Sequence, residues 1–263
     1  MPGMPVRFMA STHVGLPSRS SCINNPNEPL LTAMSVIAEV IAASKEFISG
    51  DSVIVALKPS SMALSTGKVT LIIGPSGSGK TTLLSLIGCV IYPSSGEVII
   101  DGIRTSGLSA RNMAGIRLNK IGFIFQQFNL LAPLTAEQNV MLPLTLLGIP
   151  DTEAKGRVRK VLEQVNMSHR AKSLPKMMSG GEQQRIAIAR ALVTDAPIML
   201  CDEPTASLDT KSAHIVMEEL RKQAACGKAV AIVTHDMRLK PYADEIIYVE
   251  NGQIGQTDVN EPI

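Results

Sequence analysis

The run Gly74-Pro75-Ser76-Gly77-Ser78-Gly79-Lys80-Thr81 restricts the fold of this chain more than any other segment. It follows the β-branched, apolar segment Val69–Ile73 and opens onto Thr82-Leu-Leu-Ser-Leu-Ile, whose apolar spacing is helical. Strand, glycine-rich turn and helix in that order match Gly-x-x-x-x-Gly-Lys-Ser/Thr. Glycines let successive backbone N–H groups turn inward around an anion, and the helix starting near Lys80 aims the positive end of its dipole at the same point. The segment through Thr82 therefore reads as a phosphate cradle. Lys80 is placed to neutralise β- and γ-phosphates, and the Thr81 hydroxyl to ligate Mg²⁺.

A cradle of this kind needs a parallel sheet behind it, and the rest of the chain supplies one. Short β-rich runs recur at Val69–Ile73, Glu97–Ile100, Ile121–Phe125, Ile198–Cys201, Ala229–Val233 and Glu245–Val249. Helical patterns lie at Lys80–Val90, Thr152–Val165, Gln183–Leu192 and Ser212–Ala225. Interleaved strands and helices predict an α/β domain, its largely parallel sheet covered on both faces. Residues from about 127 to 178 break the alternation and read as helices only, from the Thr135-x-x-Gln138 capping box onward. They form a helical subdomain inserted in a domain spanning 34–263. Residues 1–33 are rich in Pro, Ser, Asn and Met and show no period, so they read as a disordered extension or a misassigned start ahead of Met34.

Composition excludes several classes. The net charge of +2, the 3% aromatic content and the absence of Trp leave no footprint for nucleic acid. Cys22, Cys89, Cys201 and Cys226 are scattered, which argues against a zinc site or a disulfide framework. Cys89 and Cys201 lie in apolar runs and read as small core residues. No stretch reaches the roughly 20 apolar residues of a membrane span, so contact with a membrane is expected only through a partner.

Two further motifs complete a nucleotide site. Ile198-Met-Leu-Cys201 ends in Asp202-Glu203-Pro204. Asp202 falls at the C-terminal end of a buried strand, where ligands sit in open α/β sheets, and would hold Mg²⁺. Glu203 precedes a proline, which should keep its backbone extended and project it past the strand as a proton acceptor for water. About a hundred residues after the phosphate loop comes Ser179-Gly180-Gly181-Glu182-Gln183-Gln184-Arg185. Ser-x-x-Glu is a capping box, and two glycines at a helix start also present N–H groups to an anion. One copy already has a phosphate loop, so this second anion site becomes useful when it faces the nucleotide of another copy.

With these motifs in this order, residues 35–255 resemble the nucleotide-binding subunit of an ABC transporter. The family's signature is usually Leu-Ser-Gly-Gly-Gln; here Met178 and Glu182 take the outer places. The resemblance implies the ABC ATPase fold: a phosphate-loop core, an N-terminal antiparallel β part and the helical insert. It implies ATP hydrolysis with Mg²⁺ by a homodimer whose Ser179, Gly180 and Gly181 cap the partner's nucleotide. Gln126 is similar to the glutamine that touches Mg²⁺ and senses the membrane partner, with Gln127 as the alternative. Asp209, in Ser207-Leu-Asp209, resembles the loop that crosses the dimer interface. His235 resembles the histidine that contacts the γ-phosphate. Phe47, 27 positions before Gly74, resembles the aromatic that stacks on adenine, core packing being the other reading.

The run Gly122-Phe-Ile-Phe-Gln-Gln-Phe-Asn-Leu-Leu and the sequence Thr234-His-Asp are similar to the subfamily that releases lipoproteins or exports macrolides. That likeness implies a separate permease chain, in some relatives a periplasmic adaptor, and a place on the cytoplasmic face of the inner membrane. The alternative within the subfamily is a cell-division regulator that signals through a membrane partner without transport. Phe128, Leu130 and Leu131 are expected either to dock the permease or to pack inside the insert. A chain begun at Met34 is expected to fold and turn over ATP like the whole; a melting temperature lower by several degrees would instead place residues 1–33 on the domain.

Overall fold

The computed structural model describes residues 35–257, and the N-terminal segment expected to be disordered lies outside them. Two long strands come first, β1 (Val36–Ser49) and β2 (Ser52–Ser65), joined by a tight turn at Gly50. The core elements follow: β3 (Val69–Ile73), α1 (Lys80–Ile87), β4 (Ser95–Ile100), β5 (Ile103–Arg104), α2 (Ala110–Lys120) and β6 (Ile121–Ile124). The insert carries α3 (Ala136–Leu146) and α4 (Asp151–Gln164). Then come α5 (Gly180–Leu192), β7 (Ile198–Asp202), α6 (Thr210–Ala225), β8 (Ala229–Thr234), β9 (Glu245–Glu250) and β10 (Gln253–Thr257).

The strands form two sheets. One is antiparallel, in the order β2-β1-β4-β5. The other runs β10-β9-β3-β8-β7-β6, parallel except for β10. The parallel strands are apolar almost throughout because both of their faces are covered. Side chains alternate between two cores. Val230 and Ile232 of β8 join Met199 and Cys201 of β7 beneath α3–α6. Ala229, Ala231 and Val233 join Ile198 and Leu200 against α1, α2 and the antiparallel sheet. Cys89 and Cys201 are fully buried, and burial pushes both thiols up, Cys89 to about 11. They are inert packing groups at neutral pH.

Helix starts follow the capping chemistry. Thr135 and Gln138 exchange both bonds of a capping box, and so do Ser179 and Glu182. Those caps start α5 at Gly180, earlier than the apolar pattern alone suggests. Asp209 likewise caps α6 through the Ser212 N–H. Helix α1 stops at Ile87 because Cys89 is left-handed and Gly88 is pressed on the sheet, where an added Cβ would meet Phe123 at 2.6 Å. Helix α2 has no strong apolar stripe to announce it: only Met113 and Ile116 are buried, and Ser109 caps it.

Candidate functional site

Neighbouring strands deliver the site residues to one edge of the parallel sheet. In register, Ile73 of β3 lies beside Thr234 of β8, Val233 beside Asp202 of β7, and Cys201 beside Ile124 of β6. The phosphate loop, His235, the Asp202–Glu203 pair and the Gln126 turn therefore leave the C-terminal ends of β3, β8, β7 and β6 in sequence. Ligands bind at such strand ends because the loops open there and the following helices point their N-termini inward.

The loop is shaped by close packing. Gly74 has φ of 153°, and a Cβ there would stand 2.0 Å from the Val249 carbonyl oxygen. Gly79 has φ of 108°, and its Cβ would stand 2.5 Å from the Ala56 carbonyl oxygen. No side chain could occupy either place. The β9–β10 turn supports the loop from behind, as the Gly252 N–H donates to Ser78 O at 3.0 Å. Pro75, Ser76 and Gly77 face outward, while Ser78 is buried with its hydroxyl unpartnered. No side chain caps α1, and its first turn holds no acidic residue. An uncapped helix start beside a buried, unpaired hydroxyl is a cradle suited to an anion. Lys80 is buried and donates to the Gly74 and Pro75 carbonyls at 2.9 and 2.7 Å, which spends two of its three N–H groups. Burial lowers its pKa, and the charges of Glu203 and Asp202 oppose that fall.

The Thr81 hydroxyl stands 3.5 Å from Asp202 Oδ1. Burial, and then the charge of Glu203, raise the pKa of Asp202. The Asp202 carboxylate and the Thr81 hydroxyl are hard-oxygen donors that fit a divalent cation. Among the described residues no group of three or more His, Cys, Asp or Glu side chains is placed to hold a metal ion.

Glu203 departs from expectation. Its backbone is not extended but left-handed, with φ of 48°. Steric repulsion from Pro204 is outweighed by four hydrogen bonds. The Glu203 N–H donates to Val233 O at 2.9 Å, and the Thr234 hydroxyl donates to Oε2 at 3.1 Å. Oε1 accepts the His235 N–H at 3.1 Å and contacts His235 Nδ1 at 2.7 Å. Left-handed backbone costs a non-glycine residue about 1–2 kcal/mol and persists where its surroundings fix it. Thr234 was missed by the sequence reading. Its signal was there, a hydroxyl residue ending a buried strand just before His235.

The remaining predicted residues fall into separate groups. Phe47 is 41% exposed on the β1–β2 hairpin, with the Lys45 ammonium 5.1 Å from its ring centre, so it is not a core residue. Its cross-strand partner Ile54 lies two residues before Ala56, which touches the phosphate loop. Gln126 and Gln127 are both exposed in one turn, and their exposure does not choose between them. Gly180 lies 3.8 Å, measured from an added Cβ, from both Phe128 Cζ and Ser207 O, and Gly181 lies beside Ser212. Ser179, Gly180 and Gly181 thus sit with the Asp209 loop. Among the described residues no hydrogen bond or ion pair joins them to the phosphate loop. Met178 is buried in the core, and Glu182 also pairs with Arg170 at 2.9 Å. Leu130 packs against the core and Phe128 is half-buried; of that predicted patch only Leu131 is exposed, at 45%.

Comparison with known proteins places this geometry. The family profile for ABC transporters matches residues 57–206. An uncharacterized ABC transporter ATP-binding protein of Thermotoga maritima is 41% identical over 221 residues, 84% of this chain and 94% of that protein. The macrolide export ATP-binding/permease protein MacB of Burkholderia thailandensis is 38% identical over 227 residues, 86% of this chain but only 34% of MacB. A dimeric, post-hydrolysis structure of the ATP-binding cassette MJ0796, bound to ADP and Pi, superposes with a TM-score of 0.80 at 38% identity, covering 86% of this chain and all of that one.

Proposed function

This chain belongs to the ABC transporter family and is an ATP-hydrolysing subunit of it, and we propose that it acts as a homodimer powering a separate membrane permease. The observation that carries the reading is the split site. Lys80, Asp202, Glu203 and His235 gather at the ends of adjacent strands, while among the described residues no hydrogen bond or ion pair joins the capped helix start at Ser179 to the phosphate loop. A second copy, turned head to tail, brings that helix start over the nucleotide; the related MJ0796 cassette is dimeric with ADP and Pi bound.

The roles follow from position. The loop residues Gly74–Thr82 bind the phosphates, with Lys80 on the β- and γ-groups. Thr81, Asp202 and Gln126 would hold Mg²⁺, which when bound would supply positive charge against that of the phosphates. Phe47 gives the base an exposed ring to stack on. Glu203 accepts the proton of the attacking water. If His235 donates Nδ1–H to Glu203, it offers a second N–H to the γ-phosphate only in the doubly protonated form. Asp209 and Ser207 line the seam between copies.

The permease would dock in the groove between α2, β6, α3 and α5. Leu118, Phe123, Phe125, Pro143 and Leu146 line it, and Leu146 is 66% exposed. Its neighbour MacB carries ATP-binding and permease in one name, and this chain spans only a third of it. Among the described residues no helix is long and apolar enough to cross a membrane. A separate permease, the subunit on the membrane's cytoplasmic face and in some systems an adaptor beyond it, complete the proposal. Leu146→Glu should abolish co-purification with the permease. Because the side chain is exposed, the melting temperature should move by no more than about 2 °C. Undiminished co-purification would put the docking site elsewhere.

A further inference from the structure

The turn after β6 contains two consecutive non-glycine residues in the left-handed region, Phe128 at φ 58° and Asn129 at φ 48°. Each costs about 1–2 kcal/mol if nothing compensates it. One side chain fastens both. Arg190, near the end of α5, donates Nη2–H to the Phe128 carbonyl at 2.8 Å and Nη1–H to the Asn129 carbonyl at 2.5 Å. A planar guanidinium can hold two successive carbonyls in one fork, which an ammonium cannot reproduce. At the other end of the same helix, the Phe128 ring lies 3.8 Å from where a Cβ at Gly180 would stand, an ordinary van der Waals distance. Arg190 also lines the groove between α2, β6, α3 and α5.

We propose that Arg190 is a positioning residue that locks the Gln126 turn to the Ser179 helix, so that whatever fills the groove is felt at both ends of the site. The fork fixes the backbone after Gln127 and so sets where Gln126 reaches. The Phe128 ring, on the residue whose carbonyl the same fork holds, lies beside the first turn behind Ser179. Turn and helix then move as one body, and displacement of Asn129 or Arg190 in the groove shifts both. The inference rests on the roles given above to Gln126 and Ser179.

The test uses the purified full-length chain. Arg190→Met keeps the side chain's length and removes both donors. Turnover at saturating ATP should fall about tenfold, and the magnesium concentration for half-maximal turnover should rise about fivefold, in line with a misplaced ligand rather than a lost one. Binding of a fluorescent ATP analogue without magnesium should stay within about twofold, since the phosphate loop is untouched. Arg190→Lys should fall between the two and carries the test if the methionine variant does not fold. A purely structural role would lower nucleotide binding and melting temperature together without moving the magnesium requirement; that result, or a wild-type magnesium requirement in both variants, overturns the proposal. Gln126→Ala is the companion measurement. If it raises the magnesium requirement and the Arg190 variants do not, Arg190 is not the lock. If it leaves the requirement unchanged, the role of Gln126 is itself wrong and the lock falls with it.

Discussion

Lys80→Ala is expected to leave a folded protein with no measurable ATP turnover and much weaker ATP binding. The ammonium is buried beside the two acids and is shared between the Gly74 and Pro75 carbonyls. Its third N–H and its charge are what the loop can offer to β- and γ-phosphates. Losing one fixed electrostatic group aimed at developing charge costs about 10²–10³ in turnover, before any loss of affinity is counted. The substitution also removes a cation that opposes the upward shift of Asp202. Without that cation the pKa of Asp202 rises further, which weakens the metal position beside Thr81 as well. Two losses in one site should multiply. A steady-state assay at saturating MgATP is decisive: turnover within about threefold of wild type would mean that the loop is not where the phosphates bind.

The sequence is most legible where one residue type is forced by local chemistry. Gly74 and Gly79 could be read because a phosphate loop between strand and helix needs glycine where φ is positive, and the two capping boxes because Ser and Thr with Glu or Gln satisfy a helix start within four residues. The strands β3, β7 and β8 could be read because double-sided burial demands unbroken apolar runs. Contacts between distant segments were not legible. Arg190 lies 61 and 62 positions from the carbonyls it holds, and nothing local in Ala-Arg-Ala announces them. The left-handed turn of Glu203 failed for a related reason. The rule for residues before proline describes a local steric preference, and here bonds from β8 override it. Phe128, Leu130 and Leu131 stayed open between docking and packing because an apolar run has no direction until its neighbours are known; folding half-buries Phe128, packs Leu130 against the core and leaves Leu131 exposed.

Glu203→Gln should trap an ATP-bound dimer. An amide keeps the size of the carboxylate; with its oxygen toward His235 it still accepts that backbone N–H, and its NH2 can donate to the Thr234 hydroxyl oxygen, so the left-handed turn should persist. It cannot take up the proton of the attacking water, so binding survives and hydrolysis stalls. The change also removes one of two adjacent negative charges at the site, which lowers repulsion against the γ-phosphate. ATP then binds productively only in the closed state, and at about 100 times its dissociation constant contributes about 2.7 kcal/mol per site to closure. Adding Ser179→Arg should undo the effect. Ser179 caps α5 through the Glu182 N–H and stands at the helix start that would meet the partner's nucleotide. Arginine removes a cap worth about 1 kcal/mol, too little to unfold the domain, and fills the anion position with bulk. Size-exclusion chromatography with MgATP should show Glu203→Gln at the dimer volume and the double variant at the monomer volume. If Glu203→Gln stays monomeric at high protein concentration, or the double variant still dimerises, Ser179 does not close over a partner's nucleotide and the two-copy site is wrong.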